Sequence, residues 1–147
     1  MFDFLPAETD GPAATQALGV RLAAALPPGS VVALLGDLGA GKTHLAKGVA
    51  EGRGLDPGEV TSPTFTIVQE YAEAGLVHLD LYRMERPGEV VALGLDDILE
   101  AFDVALVEWP EHAFGRLPAG TVWLRLEHLG GDRRRVTLAE APAGEAA

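Results

Sequence analysis

Eight residues, GDLGAGKT from Gly36 to Thr43, follow the apolar run Val31 to Leu35 and precede a stretch suited to a helix. Within them Gly36, Gly41, Lys42 and Thr43 satisfy the spacing G-x-x-x-x-G-K-[ST], which needs strand, loop and helix in that order. Such a loop turns its backbone N–H groups inward to cradle phosphate oxygens, and the helix behind it points the positive end of its dipole at them. On this reading Asp37, Leu38, Gly39, Ala40 and Gly41 form the cradle, with His44 in the first helical turn. Lys42 reaches the β- and γ-phosphates as a point charge, and the Thr43 hydroxyl ligates a Mg²⁺ that keeps several of its waters.

A chain of 147 residues suits one domain with one core, spanning 1–147. Its composition, 48% hydrophobic and 22% charged, is that of a globular protein. No apolar run approaches the ~20 residues of a membrane span, and the start, MFDFLPAETD, lacks the basic region of a signal peptide, so a cytoplasmic protein without a membrane partner is expected. With no cysteine there is no disulfide framework, thiolate metal site or cysteine nucleophile. Lys plus Arg total 11 against 22 for Asp plus Glu; the net charge of -11 repels phosphate backbones, so RNA would be reached only indirectly, through a partner.

Asp10-Gly11-Pro12 reads as a helix start with a capping side chain, and Leu18, Leu22 and Leu26 continue at helical spacing until Pro27-Pro28-Gly29. Val31 to Leu35 reads as a strand buried on both faces, and Lys42 to about Glu51 as a helix carrying Leu45, Ala46 and Val49 on one side. Thr61 to Thr64 is a loop before the strand Phe65 to Tyr71, which a turn at Glu73-Ala74-Gly75 joins to Leu76 to Tyr82 as a hairpin. Helical spacing from Arg86-Pro87 to Ile98 and Leu99 breaks near Gly94, and Val104 to Val107 is a second buried strand ending on Glu108-Trp109-Pro110. Thr121 to Leu129, with Val122, Leu124 and Leu126 inward against Trp123, Arg125 and Glu127, turns at Gly130-Gly131-Asp132 into the strand Arg133 to Leu138. The tail from Ala141 is expected to be loose.

Hydrolysis or transfer at a phosphate loop also needs a carboxylate at the end of a neighbouring buried strand. Glu108, ending VALVE, and Asp80, ending LVHLD, both qualify. The reading gives Glu108 the metal and Asp80 a water-orienting part, with the roles open to exchange. His78 shares a face with Asp80, but His44, His112 and His128 lack the spacings that gather three or four ligands, so the histidines read as structural. The basic run Arg133-Arg134-Arg135 sends Arg134 to one face and its neighbours to the other, either as a solvated edge guard or with one arginine touching phosphate or a partner. Trp109 reads more readily as core than as a docking ring.

Four blocks in order, GDLGAGKT, SPTFT from Ser62 to Thr66, HLDLYR from His78 to Arg83 and EWPE from Glu108 to Glu111, resemble the bacterial TsaE family of small P-loop ATPases. The resemblance implies an α/β P-loop NTPase fold in three layers, its central sheet mostly parallel with antiparallel hairpin additions. It further implies ATP or ADP with Mg²⁺ at the loop. It assigns Lys42 and Thr43 to phosphate and Mg²⁺, Glu108 to the metal, Asp80 to hydrolysis and Thr64 to a switch that completes the Mg²⁺ shell. Thr9, Asp10, Asp132 and Arg133 would border the adenine. His44 departs from the small hydroxyl usual after the threonine. Function would be in threonylcarbamoyladenosine modification of tRNA, with ATP hydrolysis resetting a complex of the partners TsaB and TsaD. A GTPase lacks support, because the chain has no Asn/Thr-Lys-x-Asp motif. A small P-loop kinase and a non-catalytic nucleotide-dependent docking module are the alternatives.

Overall fold

The computed structural model describes residues 2–36, 41–60 and 67–141. A first short strand, β1 (Ala7–Thr9), is followed by α1 (Pro12–Ala25), β2 (Ser30–Leu35) and α2 (Lys42–Gly52). A hairpin of β3 (Val68–Tyr71) and β4 (Leu76–Asp80) leads to α3 (Pro87–Leu93) and α4 (Leu95–Glu100). Strand β5 (Val104–Glu108) and the hairpin β6 (Val122–Gly130) and β7 (Arg133–Ala139) complete the chain. All seven strands join one sheet in the order β1-β7-β6-β2-β5-β4-β3. Its centre, β6-β2-β5-β4, is parallel, and antiparallel pairs add β7 and β1 on one side and β3 on the other.

Helices cover both faces, which makes three layers and explains why the central strands read as continuous apolar runs. On one face Val32, Leu34, Leu76, Leu106 and Leu124 pack with Leu18 and Leu22 of α1 and Leu45 and Val49 of α2. On the other, Val31, Ala33, Val77, Leu79 and Val107 pack with Val90, Leu95 and Leu99 of α3 and α4. The expected strands, the helix break at Gly94 and the β3–β4 hairpin are all present.

Three local expectations are corrected. The N-cap of α1 is Gly11 and no side chain caps it, so Asp10 does not play that part; Pro12 sets the first turn and Thr15 Oγ1 donates back to Gly11 O at 3.2 Å. Trp123 is buried, because the second helical layer covers the face that a one-sided strand would leave to solvent. Strand β1 was not foreseen: three residues pairing with β7 carry too short a pattern to read. Residues 61–66 and the tail 142–147, including Phe65 and Thr66 of the expected strand, lie outside the described residues.

Helix α2 owes its seat to α1, with glycine facing glycine. A Cβ on Gly19 would lie 2.8 Å from Gly48 Cα and 2.8 Å from Val49 N, and one on Gly48 would collide with the backbone of Gln16. Gln16 also donates to Glu51 across the pair at 2.7 Å. Gly48→Ala is therefore expected to destabilise the fold by about 3 kcal/mol, the upper range for overpacking, since backbone rather than a flexible side chain must move. Urea unfolding measures this, and an unchanged midpoint would contradict the close packing.

Candidate functional site

The C-terminal edge of the parallel sheet brings together the ends of β2, β4 and β5 and the N-terminus of α2, the edge at which open α/β sheets bind ligands. Gly41, at the start of α2, has φ +96, a left-handed conformation that glycine adopts without strain. That turn opens α2, whose first residue is Lys42. Its side chain is buried, with Nζ donating to Gly36 O at 2.8 Å and standing 3.9 Å from Glu108 Oε1. The ammonium also lies 5.0 Å from the centre of the Trp109 ring. Among the described residues Gly36 O accepts from this ammonium, which carries three donors in all. Thr43 and His44, half-buried, occupy the first turn of α2.

Parallel pairing of β4 with β5 sets Asp80 directly beside Glu108. Glu108 is buried and accepts a 2.6 Å hydrogen bond at Oε2 from Nε2 of His78, which is 1% exposed. Asp80 Oδ1 accepts from the Tyr82 amide at 2.9 Å. Burial pushes the Asp80 carboxyl above its ordinary value of 3.8 and the Glu108 charge adds to the rise, while the Tyr82 N–H, His78 and Lys42 oppose it. A raised carboxyl pKa means that folding favours the protonated form, so its favourable contribution is complete below pH 3.8 and is lost as pH climbs through the raised value. Asp80→Asn, which keeps the acceptor for Tyr82 N–H, is therefore expected to raise the melting temperature at pH 7, with the gain vanishing towards pH 3.5 (thermal melts across pH).

Trp109 adopts a left-handed backbone, φ 53, at the end of β5, strained for a bulky residue and of a kind that concentrates at functional sites. Its ring stands 5.0 Å from that of exposed Tyr82 and 5.7 Å from that of His112. Half-buried, Trp109 packs against the second core as the sequence reading expected, and the same ring faces the Lys42 ammonium.

The hairpin places Arg134, rather than Arg133, against Gly41 at the start of α2. Arg133 extends into solvent and pairs with Glu8 at 3.0 Å. The Arg134 side chain lies 3.7 Å from where a Cβ on Gly41 would stand, and its buried Nε has no hydrogen-bond partner. Arg134 shares strand parity with Val136, which packs into the α1–α2 core, and that is the signal by which the sequence could have singled it out. Thr9 pairs with Arg134 across β1 and β7, so β1 borders the same corner; its hydroxyl is engaged with Thr15 at 2.7 Å, while Asp10 and Asp132 are exposed. Asp37, Leu38, Gly39, Ala40 and Thr64 lie outside the described residues.

Among the described residues no three His, Cys, Asp or Glu side chains converge as a metal cage. Mg²⁺ does not require one, since it is commonly held by one or two protein oxygens, substrate phosphates and water. The residues suit it: the adjacent carboxylates Asp80 and Glu108 offer hard oxygens, Thr43 stands in the first turn of α2, and Lys42 and Arg134 supply positive charge for phosphate.

Comparison with known proteins agrees with this geometry. The sequence model of the family described as "Threonylcarbamoyl adenosine biosynthesis protein TsaE" matches residues 9–136. A Bacillus subtilis relative named tRNA threonylcarbamoyladenosine biosynthesis protein TsaE is 43% identical over 131 residues, 88% of this chain and 81% of its own. A Synechocystis protein of the same name is 48% identical over 111 residues, 71% of this chain and 67% of its own. The crystal structure of Bacillus subtilis YdiB superposes with a TM-score of 0.74 at 38% identity, covering 91% of this chain and 83% of that one. With the loop helix, the adjacent carboxylates and the mixed sheet in place, this agreement shows that the chain belongs to the TsaE family.

Proposed function

We propose that the chain binds ATP with Mg²⁺ and hydrolyses it in the service of threonylcarbamoyladenosine modification of tRNA, resetting a complex of TsaB and TsaD between turnovers. The observation that carries this reading is the buried Lys42 ammonium, held between Gly36 O and Glu108 at the start of α2. Lys42, Thr43 and Arg134 would hold phosphate; Thr43 and Glu108 would hold Mg²⁺, which when bound neutralises the developing charge on the phosphates. Asp80, whose protonated form burial favours, stands beside Glu108 and would orient the attacking water. The net charge of -11 accords with tRNA being held by the partners, and a cytoplasmic location follows from that role. Among the described residues no helix is long and apolar enough to cross a membrane.

The test is reconstitution of tRNA modification with the TsaB–TsaD complex, with and without this protein, while phosphate release is followed. Multiple turnovers that need the protein, and hydrolysis that rises with the complex, are expected. Normal modification in its absence would reject the reading. ATP consumption that depends on a small acceptor would mark a kinase, and nucleotide binding without turnover a docking module.

A further inference from the structure

His78 lies two residues before Asp80 on β4, pairs in register with Leu106 of β5, and reaches forward along the sheet to Glu108. It is among the most buried large side chains of the molecule, on the face that carries the α1–α2 core. A histidine serving only as filler would be expected to satisfy both ring nitrogens. Here Nε2 makes a 2.6 Å bond to Glu108 Oε2, while Nδ1 is buried without a partner. An ionised carboxylate only accepts, so the hydrogen lies on Nε2. Buried N–H groups without an acceptor are rarer than buried lone pairs, which makes the bare nitrogen Nδ1. The ring is thus a one-donor clamp. By engaging Oε2 it fixes the rotation of the Glu108 carboxylate, and Oε1 is left towards Lys42, 3.9 Å away.

We propose that His78 is a positioning residue that presents Glu108 Oε1 to the Mg²⁺–nucleotide by holding Oε2 through its Nε2 hydrogen bond. This rests on the nucleotide reading above, since Glu108 is the metal's expected ligand. Groups that orient a ligating carboxylate act through the ligand's geometry, so their loss weakens metal response more than nucleotide recognition. A single fixed donor holds the carboxylate in one orientation, whereas a mobile carboxylate would have to be ordered when the metal arrives.

The experiment uses the full-length protein. In metal-free, nucleotide-free samples with ¹⁵N-labelled histidine, long-range ¹H–¹⁵N correlation is expected to show His78 carrying hydrogen at Nε2. Protonation at Nδ1 with a bare Nε2 would overturn the proposal. A second arm compares wild type, His78→Gln, whose amide nitrogen can stand where Nε2 stands, and His78→Asn, whose nitrogen reaches only the Nδ1 position. ADP affinity is measured by calorimetry in EDTA and across a Mg²⁺ titration. His78→Asn is expected to need about 10-fold more Mg²⁺ or beyond for the same enhancement, with affinity in EDTA within about twofold, and His78→Gln to stay near wild type. Equal loss in both variants, or none in His78→Asn, would overturn it. Should His78→Asn fail to fold, the tautomer and His78→Gln decide: a glutamine variant that folds but loses the Mg²⁺ response contradicts the clamp. Wild-type protein that binds ADP neither with nor without Mg²⁺ would remove the nucleotide reading and the purpose assigned to His78. A wrong variant pattern with intact wild-type binding would strike His78 alone.

Discussion

Lys42→Ala is expected to lower kcat/KM for ATP by a factor on the order of 10³ or more, about 4 kcal/mol of transition-state stabilisation, while the protein stays folded. The size of the effect follows from where the charge sits. Lys42 is 6% exposed, in a pocket made by Gly36 O, Glu108 and the Trp109 ring. In such surroundings a cation aimed at phosphate acts through a lower effective dielectric than one on the surface, and its position is set before the ligand arrives. The fold should survive because α2 is held by Leu45, Ala46 and Val49 and by its contact with α1, none of which involve the ammonium. Glu108 loses one cationic neighbour but keeps the His78 donor. Steady-state phosphate release and a thermal melt of the same sample check both halves. Hydrolysis that is blind to Lys42→Ala would mean that nucleotide turns over elsewhere, and the proposed site would be wrong.

The elements that the sequence disclosed best were those whose local pattern and tertiary setting agree. Val31 to Leu35 and Val104 to Val107 are apolar without interruption because both faces are covered, and they are adjacent parallel strands. Trp123 misled for the complementary reason. Alternation with Arg125 and Glu127 suggested one wet face, but helix coverage ends part-way along β6, so Trp123 is buried where Arg125 is not. In the site, Lys42, Asp80 and Glu108 could be named from spacing, since strand ends beside a phosphate loop have few places to go. The coupling of His78 to Glu108 could not, because it depends on register: a one-step change in the β4–β5 pairing would turn His78 away from that carboxylate. Arg134 was legible in parity, through Val136, yet the resemblance pointed to Arg133, which the structure pairs with Glu8 in solvent. Trp109 depends on a backbone conformation that no periodicity announces.

Glu108→Gln should separate binding from turnover. The substitution keeps the volume of a buried side chain and an oxygen to accept from His78 Nε2, and it removes a carboxylate charge that stands 3.9 Å from Lys42 Nζ. At that separation the attraction amounts to about 4 kcal/mol at an effective dielectric of 20, offset by the cost of keeping both charges out of water, so stability should change little. Nucleotide affinity in EDTA should hold or rise, because a negative charge near the phosphates has gone. Affinity gained from Mg²⁺ should fall, and kcat should drop by about 10²- to 10³-fold, as for removal of one electrostatic contact to the transferring group. Asp80 supplies an internal check, since the Glu108 charge is the second of the two influences that raise its carboxyl, after burial. The stabilisation gained from Asp80→Asn at pH 7 should therefore shrink, without disappearing, in a Glu108→Gln background, a coupling read from a double-mutant cycle. If Mg²⁺ dependence survives Glu108→Gln and is lost in Asp80→Asn, the two carboxylates exchange parts, with Asp80 on the metal and Glu108 beside the water.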